Sequence, residues 1–152
     1  MSKKLPRERL EREILNFLNK RKVLVLCTCN NNIPRATPLD FYNDGYTLFM
    51  TTMGGAKVEN LKNNPIASIG IYTPLSEGKV QGLQITSTKI SFIRQEDAEY
   101  EHARKIVKRK AEMYLKIEPE KIELLDYSFI KEGYSRFQVL ELSEDYKKIV
   151  RF

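Results

Sequence analysis

The sequence predicts a mainly β, α+β fold, a closed antiparallel barrel with helices packed against its outside. Five strand-like stretches follow one another with only tight turns or a short helix between them, which is typical of antiparallel connections. A longer helix and a further strand then complete the chain. Its 152 residues, of which 41% are hydrophobic and 30% charged, suit one soluble globular domain over 1–152.

The N-terminal third contains a helix followed by two strands. Apolar residues recur at helical spacing and predict the helix: Leu10, Ile14, Phe17 and Leu18. "VLVLCTC" is apolar on both faces and predicts a central strand. Asparagines 30–32 predict a turn, because asparagine tolerates left-handed conformations. "IPRATPLDFY" predicts a second strand, which its two prolines confine to an edge of the sheet.

The middle of the chain predicts three more strands and a short helix. "NDG" at 43–45 is a strong hairpin signal, so we expect the second strand to pair with the third, "YTLFMTT". In simple register Arg35 and Thr37 would then lie opposite the end of that third strand, near Thr51. "AKVENLKNN" predicts two helical turns and "PIASIGIYT" a fourth strand. "QGLQITSTKISFI" predicts a long fifth strand with Leu83, Ile85 and Ile93 on one face.

The C-terminal third predicts a helix over about 97–116. Apolar residues at helical spacing trace its buried stripe: Tyr100, Ala103, Val107, Ala111 and Tyr114. "GYSRFQVLEL" predicts a sixth strand, and "KKIVRF" is a candidate for a short seventh.

Composition and charge exclude several function classes. Lys and Arg total 26 against 20 acids, a net charge of +6, but the basic stretches mix in glutamates and lack stacking aromatics, so nucleic-acid binding is not expected. No apolar run approaches the roughly 20 residues of a membrane span, and we expect a cytoplasmic protein. Cys27, Cys29 and the single His102 lack the four ligands of a structural zinc, so no metal site is expected. We expect His102 to be solvated.

Basic and hydroxyl side chains gather around a glycine corner. Gly54 and Gly55 join the third strand to the short helix, and Lys57 follows them. The backbone N–H groups at a helix start, together with Lys57 and Arg35, suit a phosphate. Hydroxyls surround this point on two strands: Thr37, Thr51 and Thr52. The alternative is that both cations are ordinary surface charges and that the glycines only turn the chain.

These residues also carry a family resemblance. "LCTCNNNIPRATPLDFYNDGYTLFMTTMGGAKVENLKNNPIASIGIY" resembles the core of the pyridoxamine 5′-phosphate oxidase-like, FMN-binding split-barrel family. The ordered pattern is an apolar strand, P-R-x-T-P, an N-D-G-type hairpin, a strand ending in threonines, and a lysine before N-L-x-x-N-P. The resemblance runs from about residue 12 to residue 93, with a weaker echo in "GYSRFQVLEL".

The resemblance implies a six-stranded antiparallel split β-barrel that binds FMN in clefts at a homodimer interface. By similarity, Arg35 and Lys57 would bind the FMN phosphate. Three residues would lie near it: Thr51, Thr52 and Ala56, the last through its backbone. Thr37 would flank the isoalloxazine ring. A glutamine of the long strand, Gln81 or Gln84, would also face the flavin.

The sequence departs from the family pattern at three places. Asp40 replaces the lysine that closes the second-strand motif of the oxidase, and Gly55 and Ala56 replace a serine-arginine pair. The C-terminal arginine-histidine segment that recognises pyridoxal phosphate has no counterpart, so vitamin B6 oxidation is not expected. The predicted function is a flavin-dependent oxidoreductase for a small molecule, with no catalytic residue assigned. The alternatives are a non-enzymatic flavin-binding or sensor protein and a deazaflavin-binding relative.

Overall fold

A computed structural model describes residues 3–142 of the chain. It contains three helices: α1 Arg7–Lys20, α2 Ala56–Asn63 and α3 Tyr100–Val107. Its strands are β1 Val23–Asn30, β2 Ile33–Asp40, β3 Tyr42–Asp44, β4 Thr47–Thr52, β5 Ala67–Tyr72, β6 Gln81–Arg94, β7 Met113–Asp126 and β8 Phe137–Glu141. Short 3₁₀ helices occur at Leu75–Glu77 and Tyr127–Glu132. The predicted mainly β class is confirmed, with eight described strands rather than six, and the barrel is split, as the family resemblance implied, rather than closed as the strand pattern predicted.

All strand pairs are antiparallel, and the strand order is β2-β1-β5-β6-β7-β4-β3, with β8 added to β7. The strand order begins at β2 and ends at β3. No ladder joins β2 to β4 although the two strands approach each other, so the curled sheet is split there. The predicted edge position of β2 is confirmed, and it explains how this strand accommodates two prolines.

The inner face of the curled sheet and α1 enclose the main hydrophobic core. The predicted stripe of α1 is buried as expected. Side chains from six strands fill the interior, among them Leu24, Leu26, Leu48, Met50, Leu83, Ile85, Leu115, Ile117, Ile122, Leu124 and Leu140. A second cluster lies between α3 and the sheet and contains Phe49, Ile93, Tyr100, Ala103, Val107 and Tyr114.

The predicted register of the second strand is wrong. Phe41 separates β2 from β3, and only the three-residue β3 pairs with β4 across the predicted turn, with Asp44 opposite Thr47. The longer β2 pairs with β1 instead, through the asparagine turn whose Asn31 and Asn32 are left-handed. A turn with two left-handed residues matches the strand twist, which makes β1–β2 the favourable hairpin. The predicted pairing of Arg35 and Thr37 with the end of β4 is therefore absent.

The predicted helix over 97–116 is also wrong in its second half. Helix α3 ends at Val107, and β7 begins at Met113 and pairs with β4, β6 and β8. Lys and Glu at the less buried positions of β7 gave the segment a helical composition. Its buried residues nevertheless alternate with period two on each side of a register shift, as in a half-buried strand. Tyr114 is fully buried as predicted, but it lies on β7.

Two smaller predictions need correction. The long strand β6 does not keep one face inward, because a register shift between Ile85 and Thr88 redirects the residues that follow, and Ile93 packs in the cluster beneath α3. The sixth predicted strand is the shorter β8. The candidate strand "KKIVRF" at 147–152 lies outside the described residues.

Strand β1 is internal to the sheet, as predicted, but only one of its faces is buried. Leu24, Leu26 and Thr28 point inward, whereas Val23 is 54% exposed and Val25 36% exposed on the outer face. The apolar outer face of β1 is thus uncovered in the single chain.

Candidate functional site

Two backbone donors at the corner between β4 and α2 have no hydrogen-bond partner within residues 3–142. Gly54 and Gly55 have φ angles of 96° and 88°, a left-handed region that a side chain would strain. Gly55 is the N-cap of α2, and no side chain caps the helix. The N–H groups of Val58 and Glu59 both donate to the Gly55 carbonyl, so those of Ala56 and Lys57 remain for a ligand. A helix start of this kind favours an anion.

Two of the predicted site residues pack directly into this corner. The Lys57 ammonium donates to the Gly54 carbonyl at 3.1 Å, so its charge is held over the glycine pair. The Gly54 N–H donates to the hydroxyl of buried Thr52 at 3.3 Å. Lys57 forms no ion pair with any carboxylate in residues 3–142, which leaves its charge available to an external anion.

Arg35 and Thr37 approach α2 through β1 rather than through β4. They lie opposite Thr28 and Leu26, whose side chains point inward, and so share the inner face of the sheet. On α2, the Asn60 side-chain amide donates to the Thr28 hydroxyl at 3.1 Å. Arg35 is therefore on the strand neighbouring the point where α2 contacts the sheet, and its side chain is exposed.

Thr37 carries a buried polar atom that suits a bound polar ligand. Its hydroxyl oxygen is inaccessible to solvent and has no hydrogen-bond partner within residues 3–142. Leaving such a group unsatisfied costs about 1–3 kcal/mol, which a ligand hydrogen bond would relieve. Together with the two cations and the N–H groups, this hydroxyl suits a ligand that carries both an anionic group and further polar atoms.

Thr51 faces away from these groups. It alternates with buried Thr52 along β4 and pairs with Tyr114 of β7, on the side of the sheet covered by α3. Its hydroxyl accepts a 2.7 Å hydrogen bond from the Arg109 guanidinium. Arg109 falls within the helix that the sequence predicts over 97–116, but in the structure it lies in the loop between α3 and β7.

A groove of about 790 Å³ lies elsewhere, on the outer face of the sheet. It is lined by residues of β1, β5, β6, β7 and β8, and none of the predicted phosphate-site residues contributes to it. Its walls are mainly apolar and include the exposed side chains of Val23, Val25, Tyr72, Phe137 and Val139.

The structure distinguishes the two glutamines of the long strand. The Gln81 amide donates to the buried Asp126 carboxylate at 2.7 Å and is committed to that bond. Gln84 is exposed and lines the outer groove, so it is the one available to a ligand or a partner.

Residues 3–142 contain no cluster of three side chains suited to a metal ion. Cys27 and Cys29 are partly buried free thiols. His102 is exposed as expected, and its ring nitrogen lies 3.1 Å from the Asp44 carboxylate. Within the same range, none of the helices is long and apolar enough to cross a membrane.

Comparisons with known proteins identify the family and the fold. The family model for pyridoxamine 5′-phosphate oxidase matches residues 10–139. A Listeria innocua protein named for that oxidase is 27% identical, with 76% of this chain and 98% of the other covered and a TM-score of 0.62. An FAD-binding protein from Mesorhizobium loti is 16% identical over 82% and 95% of the two chains, with a TM-score of 0.63.

General Stress Protein 26 from Bacillus anthracis shares the fold at 16% identity over 88% and 99% of the two chains, with a TM-score of 0.64. No curated protein matches the sequence. The family match covers most of the chain and includes every residue of the β4–α2 corner. This chain belongs to the pyridoxamine 5′-phosphate oxidase family.

Proposed function

We propose that the chain binds FMN, with the flavin phosphate at the corner between β4 and α2. The observation that carries the proposal is the Lys57 ammonium held over an uncapped helix start, 3.1 Å from the Gly54 carbonyl. Lys57 and Arg35 would supply charge, and the N–H groups of Ala56 and Lys57 would donate to phosphate oxygens. The unpartnered hydroxyl of Thr37 would face the remainder of the flavin.

Relatives of the same fold support a flavin as the ligand class. The proteins from Mesorhizobium loti and Mycobacterium smegmatis are both named for FAD binding. For this chain we propose the mononucleotide, because Arg35 and Lys57 with a single helix start match the charge of one phosphate.

We further propose that two copies of the chain assemble through the outer groove and that the flavin lies at their interface. A monomeric protein rarely exposes a continuous apolar surface of this kind. A single charged side chain, Glu123, lines the groove, so two copies that each carry a net charge of +6 could pack there without strong repulsion. Gln84, which lines the groove, would then belong to the buried interface.

The proposed activity is transfer of electrons to or from a small molecule by a flavin-dependent oxidoreductase. FMN, when bound, supplies the redox chemistry, and the protein binds and orients it. A second candidate is a non-enzymatic flavin-binding or sensor protein. It is favoured by the absence, within residues 3–142, of a titratable group assigned to acid–base chemistry at this corner. A deazaflavin-binding relative is a third candidate, since the phosphate site would serve it equally.

The test is a titration of flavin-free protein with FMN and with riboflavin, followed by NAD(P)H. We expect FMN to bind more tightly than riboflavin, and a bound flavin that bleaches with NAD(P)H would support the enzyme. A bound flavin that does not respond to either nucleotide would favour the binding protein. No binding of FMN would overturn the proposal.

A further inference from the structure

Two asparagines of α2 bind the neighbouring strand β1. The Asn60 side-chain amide donates to the Thr28 hydroxyl at 3.1 Å. The Asn64 side-chain amide donates to the Cys29 carbonyl at 2.9 Å. Residues four apart on a helix lie on the same face, so the two amides reach two consecutive residues of the strand. The proposed function assigns a role to neither asparagine.

These hydrogen bonds fix the position of α2 in a way that its apolar contacts do not. Val58 and Leu61 are the buried residues of the helix, but apolar packing has no preferred direction and permits small shifts. The amide hydrogen bonds have a defined length and angle. The backbone N–H of Asn64 also donates to the Asn60 carbonyl at 2.7 Å, which joins the two asparagines to each other. The helix is therefore held on β1 at two linked points.

The phosphate corner belongs to the same short helix. Helix α2 has eight residues and begins at Ala56, four residues before Asn60. At the rise of an α-helix this separation is about 6 Å along the axis. A rotation or shift of α2 on β1 would therefore move the N–H groups of Ala56 and Lys57 together with the Lys57 ammonium.

The part of β1 that the asparagines bind also positions Arg35. Thr28 lies opposite Arg35 in the β1–β2 ladder, and Cys29 lies opposite Pro34. Directly paired residues of antiparallel strands have their Cα atoms about 4.5–5.5 Å apart. Asn60 thus contacts the residue next to Arg35. The two cations of the proposed phosphate site are therefore connected through α2, one side-chain hydrogen bond and one strand pair.

We propose that Asn60 and Asn64 are positioning residues of the phosphate site, which set the distance between the start of α2 and Arg35 on β2. This inference rests on the proposed function. The asparagines would act through α2 rather than by contact with the ligand. One small anion can bind both Lys57 and Arg35 only if the two cations are held close to it, and a geometry fixed beforehand lowers the ordering cost of binding.

The test measures the FMN and riboflavin affinities of flavin-free Asn60→Ala and Asn64→Ala by flavin fluorescence. We expect each change to weaken FMN about three- to tenfold, as for the loss of one neutral hydrogen bond. Riboflavin should weaken less than about twofold, because it has no phosphate to hold. Asn63→Ala makes the same change at an exposed position of the same helix and should bind both flavins like the parent.

A double-mutant cycle tests whether Asn60 acts through Thr28. Thr28→Val removes the hydroxyl acceptor at nearly constant size and should weaken FMN as Asn60→Ala does. Thr28→Ser keeps the acceptor and should retain most of the parent affinity. The combined Thr28→Val and Asn60→Ala variant should lose no more than either alone, because the same bond is absent in all three. Additive losses would show that the two side chains act independently, and the inference would be wrong.

Thermal unfolding without flavin identifies a temperature at which every variant is folded, and the affinities are compared there. If the asparagine variants lose FMN and riboflavin in equal proportion, or bind FMN like the parent, the asparagines do not position the phosphate site. The proposed function would still stand in both cases if the parent binds FMN and Lys57→Ala weakens it. A parent chain that binds no FMN would overturn the proposed function and this inference together.

Discussion

Lys57 is the residue on which the proposed phosphate site depends most. Its ammonium lies 3.1 Å from the Gly54 carbonyl, over an uncapped helix start. Replacing it with alanine removes one charge-assisted hydrogen bond to the phosphate, which contributes about 1.5–3 kcal/mol. FMN affinity should therefore fall about ten- to a hundredfold in Lys57→Ala. Riboflavin has no phosphate, so its affinity should stay within about twofold of the parent value.

Isothermal titration of flavin-free protein measures both affinities. Lys62→Ala is the matched control, because Lys62 lies in the last turn of the same helix and pairs with Glu59 at the surface. It makes the same change in net charge away from the glycine corner, so its FMN affinity should equal that of the parent. Equal losses of FMN and riboflavin in Lys57→Ala would show a structural role. An unchanged FMN affinity would make Lys57 an ordinary surface charge.

Three further predictions test the assembly, the specificity and the core. The protein should have the mass of a dimer by light scattering, and a monomeric parent would refute the interface. Val25→Glu in the outer groove should yield monomers, whereas Ile66→Glu outside the groove should leave the dimer intact. Protein supplied with FMN should not measurably oxidise pyridoxamine 5′-phosphate, and robust turnover would mean that the C-terminal third was misinterpreted. Ile14→Ala, which empties a fully buried position of α1, should cost about 2–5 kcal/mol in urea unfolding, while Asn16→Ala on the exposed face should cost little.

The sequence predicted the barrel because its signals were local. Alternating or continuous apolar stretches separated by asparagine and glycine turns determine strands and tight connections, and α1 followed from simple helical spacing. The position of β2 at an edge followed from its prolines. These features depend on neighbouring residues only, so they can be recognised without knowing the tertiary contacts.

The pairing of the strands and the structure of the C-terminal third depend on tertiary contacts, which local sequence patterns do not show. The asparagines at 30–32 predicted a turn and the segment 43–45 a hairpin, but the break at Phe41 that separates β2 from β3 leaves no local mark in the sequence. Strand β7 contains many Lys and Glu residues, whose helical propensity outweighed its period-two burial. For the same reason the loop that carries Arg109 was included in the predicted helix.

In the candidate site, too, some residues are neighbours in sequence and others are brought near only by the fold. The glycine corner and Lys57 are adjacent in sequence, and the structure keeps them together. Arg35 and Thr37 lie on β2, which is distant from α2 in sequence. They come near α2 because β2 pairs with β1, where Thr28 bonds to Asn60, and one sequence does not reveal this register. The exposed outer face of β1 was likewise hidden, since a strand apolar on both faces is equally typical of a buried strand and of an interface.

A crystal structure of the protein with FMN would show directly where the flavin phosphate binds. The phosphate should lie at the start of α2, with oxygens about 2.7–3.2 Å from the Lys57 ammonium and from the backbone nitrogen of Ala56 or Lys57. The Arg35 guanidinium should approach it from β2. A flavin whose phosphate lies in the outer groove, or anywhere away from Gly54 and Gly55, would contradict the account.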